Sequence, residues 1–156
     1  MGSVKSPATI KMLQELGAFI LAGAKGPDDV KQMVEMICDA RGWRWVGVYK
    51  HSRQELAIVA GSGDKPPCYK QFPVTQGLCG AAVESRQTLV VDDVRKDVRY
   101  LPTFNSTLSE IVVPIMSQSD KVVGVITAES EKVNAFTKED REVLERVAGL
   151  MGHSFK

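Results

Sequence analysis

The sequence contains few of the residues that build metal sites, and its charges are nearly balanced. Three cysteines and two histidines occur in 156 residues, without the spacing of zinc or haem ligands, so no metal or cofactor is expected. The odd set of Cys38, Cys68 and Cys79 predicts free thiols in a reducing compartment. Twenty basic and nineteen acidic side chains, with no long run of either sign, argue against nucleic acid or a membrane surface as the main partner.

Long apolar runs are absent as well. No stretch approaches the roughly 20 residues that a membrane-spanning helix needs. The N-terminal MGSVKSPAT lacks the basic and then apolar layout of a signal peptide. These absences predict a cytoplasmic protein. We expect residues 1–7 to form a flexible N-terminus and residues 8–156 a single domain, which is long enough to bury a core without disulfides.

The periodicity of the apolar residues predicts alternating helices and short strands. Helical spacing predicts helices at 8–24, at 29–41 and after Thr137, which opens the last helix as a capping box with Asp140 or Glu139. The small-residue segment GLCGAAVES predicts a short helix at 77–85. Aromatic and β-branched runs predict strands at 43–50, 55–60, 68–72 and 88–91, the first with Trp43, Trp45, Gly47 and Tyr49 on one face. The irregular connection 92–108 is of a length more typical of a lid or binding loop than of a tether.

Residues 109–130 (SEIVVPIMSQSDKVVGVITAES) contain two apolar runs around a turn-rich SQSD cluster and predict a β-hairpin. With an even-length loop, one face is wholly apolar and carries Ile111, Val113, Ile115, Val122, Gly124 and Ile126. The other face is apolar near the turn, where it carries Met116 and Val123, and ends with Glu110, Thr127 and Glu129 together. An odd-length loop flips one strand and destroys this grouping. The polar end is either a pocket floor or a solvated end of the sheet.

This order of elements predicts an α+β fold. Strands joined in hairpins predict a central, mainly antiparallel sheet. The amphipathic N- and C-terminal helices need a common apolar surface, and the Ile111 face of the hairpin supplies one. The short helices and loops then lie on the opposite face, where they form a pocket.

Four ordered segments resemble the GAF domain family of small-molecule-binding sensor domains. They are GLCGAAVESRQTLVVDDV, SEIVVPI, KVVGVITAES and FTKEDREVLERVA, and the resemblance covers nearly the whole chain. Within this family the chain is most similar to the free methionine-(R)-sulfoxide reductases. The resemblance implies a ligand pocket with aromatic residues at Trp45 and Tyr49, a carboxylate at Glu110, and a redox cysteine at Cys79. Two aspartates of the reductases correspond to Thr127 and Glu129.

The sequence differs from the reductases at the cysteines that reduce the substrate. Their attacking cysteine falls by count at Thr103, and residues 92–108 contain no cysteine. A further family cysteine falls at Tyr69, with Cys68 one position away and predicted to face oppositely. A sulfoxide is reduced by a thiolate that becomes a sulfenic acid, which a second thiol resolves. Threonine cannot form that intermediate. Cys79 is then either a small buried thiol or, at a helix N-terminus, a thiol of lowered pKa that acts with Cys68 by a variant route.

Two other GAF functions find weaker support. Cyclic-nucleotide-binding members carry an asparagine–lysine–phenylalanine–aspartate–glutamate signature. The chain keeps Asn134, Phe136 and Asp140 of this set, but has Ala135 and Arg141 where lysine and glutamate are expected. A bilin chromophore needs an anchoring cysteine, for which the sequence offers no clear candidate.

Three hypotheses follow. In the first, the domain binds a small polar metabolite without turning it over, with Glu110 and Glu129 accepting hydrogen bonds from a cationic group and Trp45 and Tyr49 packing the apolar part. In the second, the protein is a methionine sulfoxide reductase-like enzyme that uses Cys79. In the third, it is a dimerisation module that pairs through its terminal helices. A signalling role passes through a separate partner chain, because the sequence shows no output domain.

Overall fold

The computed structural model describes residues 6–155. Four α-helices lie in this part of the chain: α1 Pro7–Leu21, α2 Pro27–Arg41, α3 Gly77–Ser85 and α4 Lys138–Met151. The strands described are β1 Trp45–Ser52, β2 Glu55–Gly61, β3 Gln71–Pro73, β4 Leu89–Val91, β5 Ser109–Met116 and β6 Val122–Ser130. They form a six-stranded sheet in the order β3-β2-β1-β6-β5-β4. Each neighbouring pair is antiparallel.

The predicted α+β architecture is confirmed. Helices α2 and α4 cover one face of the sheet and α1 packs on both of them. Their shared core includes Met33, Ile37, Ile111, Ile126 and Leu144, all fully buried. Helix α3 and the 92–108 connection lie on the other face, over a second apolar cluster. The sheet is therefore covered on both faces, with its central hairpin β5–β6 between the two layers.

A buried ion pair joins the three long helices. Arg41 at the end of α2 pairs with Asp140 in the first turn of α4, and its Nη1 donates to the Thr9 hydroxyl of α1 at 2.9 Å. Asp140 also completes the predicted capping box, because it accepts from the Thr137 backbone N–H at 2.8 Å. Asp140, one of the residues shared with the cyclic-nucleotide signature, thus has a structural role here.

The register of the central hairpin is the one that an even-length loop predicts, except next to the turn. Glu110 lies opposite Glu129, and Val113 opposite Ile126. A bulge at the turn pairs Met116 with Val122. It moves Val122 to the face of the second cluster and Val123 to the helical face, so the predicted faces of these two valines were wrong.

Two more local predictions were wrong. Trp43 precedes β1 and packs edge-on against Phe136 on the helical side, with ring centroids 5.8 Å apart, so it does not share the face of Trp45 and Tyr49. The short strand predicted at 68–72 lies at Gln71–Pro73.

The N-terminal prediction falls partly outside the described chain. Residues 1–5 of the predicted flexible segment are not among the described residues, while Ser6 caps α1 and Pro7 begins it. Within residues 6–155, no helix is long and apolar enough to cross a membrane.

Candidate functional site

The two glutamates of the central hairpin lie side by side in one row across the sheet. Antiparallel pairing places Val91 of β4 opposite Glu110, Glu110 opposite Glu129, and Glu129 opposite Trp45 of β1. Thr127 lies in the next row of the same face, because side chains two residues apart on a strand point the same way. The structure thus brings Glu110, Thr127 and Glu129 together under α3 and the 92–108 connection.

Both carboxyl groups are buried and hydrogen-bonded by threonines. Glu110 and Glu129 are 2% and 1% exposed. The Thr127 hydroxyl donates to Glu110 Oε2 at 2.6 Å, and the Thr107 hydroxyl donates to Glu129 Oε1 at 2.7 Å. Within residues 6–155, neither glutamate forms an ion pair with a lysine, arginine or histidine. Burying carboxylates without a cation is costly, so their protonation must change instead.

The pKa values of both glutamates are raised, as expected for carboxyl groups whose charges are costly to bury. Burial, and then the negative charge of Glu129, raises the pKa of Glu110 well above its ordinary value. Burial raises the pKa of Glu129 to about 7, although the hydrogen bond from Thr107 partly offsets the rise. At neutral pH, Glu129 is therefore divided between its neutral and charged forms, and burial favours the neutral form of Glu110. A buried acidic pair with raised pKa values is typical of a functional site.

A small cavity lies beside Glu110. Its volume is about 20 Å³, and its walls include Tyr49, Tyr69, Cys79, Leu101, Thr103 and Glu110. This volume holds about one water molecule, whereas small-molecule pockets usually measure roughly 300–1,000 Å³. Leu101, Pro102 and Thr103 belong to the connection predicted to act as a lid. A ligand of metabolite size therefore enters only when this segment moves.

The two predicted aromatic residues take different positions. The ring of Tyr49 packs edge-on against Phe72, with centroids 5.5 Å apart, and lines the cavity. Burial raises the pKa of the Tyr49 hydroxyl, and the nearby Cys79 and the two glutamates raise it further. Trp45 does not line this cavity. Its indole lies flat over Gly47 and Gly61 and packs edge-on against Phe104 at 5.1 Å.

Gly47→Ala tests this placement of Trp45. A methyl group at Gly47 would overlap the six-membered ring of the indole, so we expect a loss of about 1–3 kcal/mol of unfolding free energy, as for other overpacked cores. Chemical denaturation measures it. Gly17→Ala in α1 is the matched control, because its methyl group meets no neighbour within 4 Å and is expected to be neutral or stabilising. Equal stabilities of the two variants would contradict the packing described.

The three cysteines are free thiols in different surroundings. Cys79 lies in the first turn of α3 and lines the cavity, but burial and the two glutamates raise its pKa well above the ordinary value. Of the two alternatives for Cys79, this direction favours the small buried thiol. Cys68 is exposed, whereas its neighbour Tyr69 lines the cavity, as the opposite facing predicts. The half-buried Cys38 donates to the Trp43 carbonyl at 2.9 Å.

Several residues of the site were not predicted. Thr107 was not singled out, although it lies near the end of the predicted lid, three positions before Glu110. Tyr100 was missed too, and burial and the charge of Glu129 raise the pKa of its hydroxyl. The Cys68 backbone N–H donates to the Thr103 carbonyl at 2.8 Å and so joins the 92–108 connection to residues 62–70. Hydroxyl-bearing residues in a loop before a buried carboxylate were the available signal. Within residues 6–155, no cluster of ligands suited to a metal ion occurs.

Proteins of similar sequence include a reductase and a protein described only by its GAF domain. The chain is 32% identical over 111 residues to the free methionine-R-sulfoxide reductase of Saccharomyces cerevisiae, covering 70% of this chain and 62% of that protein. It is 31% identical over 108 residues to GAF domain-containing protein A of Dictyostelium discoideum, covering 69% of this chain and 66% of that protein. The chain thus spans slightly less than two thirds of the length of these relatives.

Solved structures match over nearly the full length. The free methionine-R-sulfoxide reductase of Neisseria meningitidis, solved with its substrate, superposes with a TM-score of 0.84 at 26% identity, over 99% of this chain and 93% of that one. The type II free methionine-R-sulfoxide reductase of Thermoplasma acidophilum gives a TM-score of 0.76 at 29% identity, over 92% and 97%. The GAF domain family model matches residues 28–155. The chain therefore belongs to the GAF domain family.

Proposed function

We propose that this protein is a ligand-sensing module that binds a small ammonium-bearing metabolite, of the free methionine sulfoxide type, without reducing it. The ligand occupies the space between Glu110, Glu129 and the lid segment 101–104, after the lid has moved. Its ammonium group donates to the carboxylate of Glu129 and to a carboxyl oxygen of Glu110, and its apolar part packs against Tyr49. The names of the related reductases supply the ligand class.

The observation that carries this proposal is the unpaired acidic pair. Glu110 and Glu129 are buried, directly opposite each other and without a cationic partner in the described chain. Such a pair adds nothing to stability, because each charge costs solvation and repels the other. A bound ammonium group repays this cost with charge-assisted hydrogen bonds.

Two features favour binding over reduction. Thr103 lines the cavity, at the position to which the sequence resemblance assigns the attacking cysteine of the reductases. Cys79 remains, but the direction of its pKa shift keeps it a thiol at neutral pH, and the thiol is a poor nucleophile.

Calorimetry with free methionine sulfoxide tests the proposal. We expect saturable binding at pH 7.5, and no methionine released when a dithiol reductant is present. Measurement of methionine by chromatography in the same samples separates binding from turnover. Absence of binding would overturn the ligand assignment, and steady release of methionine would overturn the claim that the ligand is not reduced.

Ligand binding is expected to strengthen with pH. An ammonium group favours ionised carboxylates, so binding displaces the proton that Glu129, whose pKa is about 7, holds in part at neutral pH. Affinity should rise by up to about tenfold per pH unit below pH 7 and level off above it if one proton is released. Calorimetry from pH 5.5 to 7.5, in buffers of different ionisation enthalpy, counts the protons. Affinity that falls with pH would contradict the proposed contact.

A reductase activity through Cys79 is the second candidate. The observation that favours it is the position of Cys79 on the wall of the same cavity as Glu110. Cys79→Ser distinguishes the two functions. Loss of methionine sulfoxide reduction in this variant, with Cys68→Ser still active, would establish the enzyme; wild-type protein that binds and does not reduce supports the sensor.

A further inference from the structure

The indole N–H of Trp45 is a buried donor without an acceptor. Trp45 is 2% exposed, and its Nε1 has no hydrogen-bond partner among the described residues. A buried N–H that loses water and gains no acceptor costs about 1–3 kcal/mol. Tryptophan side chains in protein cores usually find such a partner. The unpaired Nε1 therefore needs an explanation that packing does not provide.

The edge that carries Nε1 faces away from the acidic pair. A methyl group placed on Gly61 would lie 2.7 Å from Cζ2 and 2.9 Å from Nε1 of Trp45. The indole thus extends from β1 over the start of the loop that follows β2. An open cleft of about 680 Å³ lies there, with Trp45, Ser62, Lys65 and Phe104 among its walls.

One short segment separates this cleft from the cavity beside Glu110. Thr103 lines the cavity, and the next residue, Phe104, lines the cleft and covers the indole of Trp45. Movement of the Thr103–Phe104 segment therefore opens the cavity to the cleft and uncovers Nε1. The space then extends from Glu110 and Glu129 at one end to Trp45 at the other.

We propose that Trp45 Nε1 donates a hydrogen bond to an oxygen at the far end of the ligand and thereby selects ligands that carry this oxygen. This inference rests on the proposed function, since the ammonium end is held by Glu110 and Glu129. It gives Trp45 a polar contact in place of the packing role expected from the sequence. The ligand displaces Phe104 from the indole as it binds.

The spacing decides which oxygen can make this contact. Gly61 on β2 and Glu129 on β6 are separated by β1, so their backbones lie roughly 9–10 Å apart at the usual strand spacing. The carboxylate of an α-amino acid is attached to the carbon that bears the ammonium group and stays beside it. An oxygen on the side chain, several bonds away, spans the distance. The sulfinyl oxygen of methionine sulfoxide is such an acceptor, and methionine lacks it.

Calorimetry with methionine sulfoxide and methionine tests the contact. We expect the wild-type protein to bind the sulfoxide about tenfold more tightly than methionine. A factor of about ten in affinity is what one well-made hydrogen bond contributes. Trp45→Phe keeps an aromatic ring and removes the donor, so it should bind the two compounds equally. Trp43→Phe, on the helical side of the sheet, is the matched control and should keep the preference. A preference retained in Trp45→Phe would overturn the inference.

Nuclear magnetic resonance of the wild-type protein tests the contact without relying on the folding of a variant. The chain has two tryptophans, so two indole N–H signals are expected, and Trp43→Phe assigns them. Methionine sulfoxide should move the Trp45 signal downfield, while methionine should not. An equal shift with both compounds would overturn the inference while leaving the proposed function intact. Binding of neither compound would instead overturn the proposed function, and the inference with it.

Discussion

Glu129→Gln is expected to stabilise the protein by about 3 kcal/mol at pH 8 and to weaken ligand binding. The folded-state pKa of Glu129 is about 7, against an ordinary value of 4.5. Each unit of such a shift corresponds to about 1.4 kcal/mol. The folded state therefore holds a proton that the unfolded chain releases, and wild-type stability declines between about pH 4.5 and pH 7. Glutamine removes the ionisable group and with it this decline.

The hydrogen bonds around Glu129 allow this substitution. Glutamine keeps a carbonyl oxygen that accepts from the Thr107 hydroxyl, and its volume is nearly that of glutamate. Glu110 is unchanged in the variant, and burial, which the substitution leaves in place, is the largest cause of its raised pKa. The stabilisation should therefore be fully present above pH 7 and vanish near pH 4, where wild-type Glu129 is neutral in both states.

The same substitution removes the charge that the proposed ligand requires. A hydrogen bond between charged groups contributes about 1.5–3 kcal/mol, so the affinity for methionine sulfoxide should fall roughly 10- to 100-fold at pH 7.5. A gain in stability together with a loss of binding is the behaviour of a residue kept for function. A residue kept for packing would lose both.

Urea denaturation at pH 4, 6 and 8 measures the stability difference. Glu131→Gln is the matched control: Glu131 lies just after β6 and is exposed, and hydrogen bonding to Ser106 lowers its pKa. Its substitution is expected to give no gain at any pH. A Glu129→Gln variant less stable than wild type at pH 8, or equally stabilised at pH 4 and pH 8, would show that Glu129 is not a strained buried acid.

Elements that depend on the local sequence were predictable. The bounds of α3 and the capping box at Thr137 agree with the structure, because both depend on local composition. The grouping of Glu110, Thr127 and Glu129 also followed from one assumption about the hairpin loop. The bulge that exchanges Val122 and Val123 did not, because a single extra residue near a turn leaves no mark in an apolar run.

Properties that depend on tertiary burial were not predictable. A cysteine in the first turn of a helix suggests a lowered pKa, but the pKa of Cys79 is raised by the layer that covers it and by acids from another part of the chain. Trp43 has the composition of a strand residue and yet packs with Phe136 of the helical layer, since β1 begins two residues later. The unpaired Nε1 of Trp45 depends on Gly47, Gly61 and Phe104 together, which sequence spacing alone does not connect.

Under the proposed function, Thr103→Cys is expected to create a methionine sulfoxide reductase activity that the wild-type protein lacks. Thr103 is buried and lines the cavity together with Cys79 and Glu110. The introduced thiolate attacks the sulfinyl sulfur and, with the uptake of one proton and cleavage of the S–O bond, becomes a sulfenic acid while methionine is released. Condensation of the sulfenic acid with a thiol, from Cys79 or from added dithiol, forms a disulfide and water. The dithiol then reduces the disulfide, which completes the turnover.

The rate should rise with pH, because the new thiol lies in the surroundings that raise the pKa of Cys79 and must ionise to react. Methionine production in the presence of a dithiol, measured by chromatography, checks the prediction. Two variants serve as controls. Thr103→Ser introduces no thiol, and Ser106→Cys introduces one at an exposed position of the same connection. Both variants should be inactive. A Thr103→Cys variant that binds the sulfoxide with wild-type affinity and releases no methionine would show that the absence of a cysteine at this position is not what separates the chain from the related reductases.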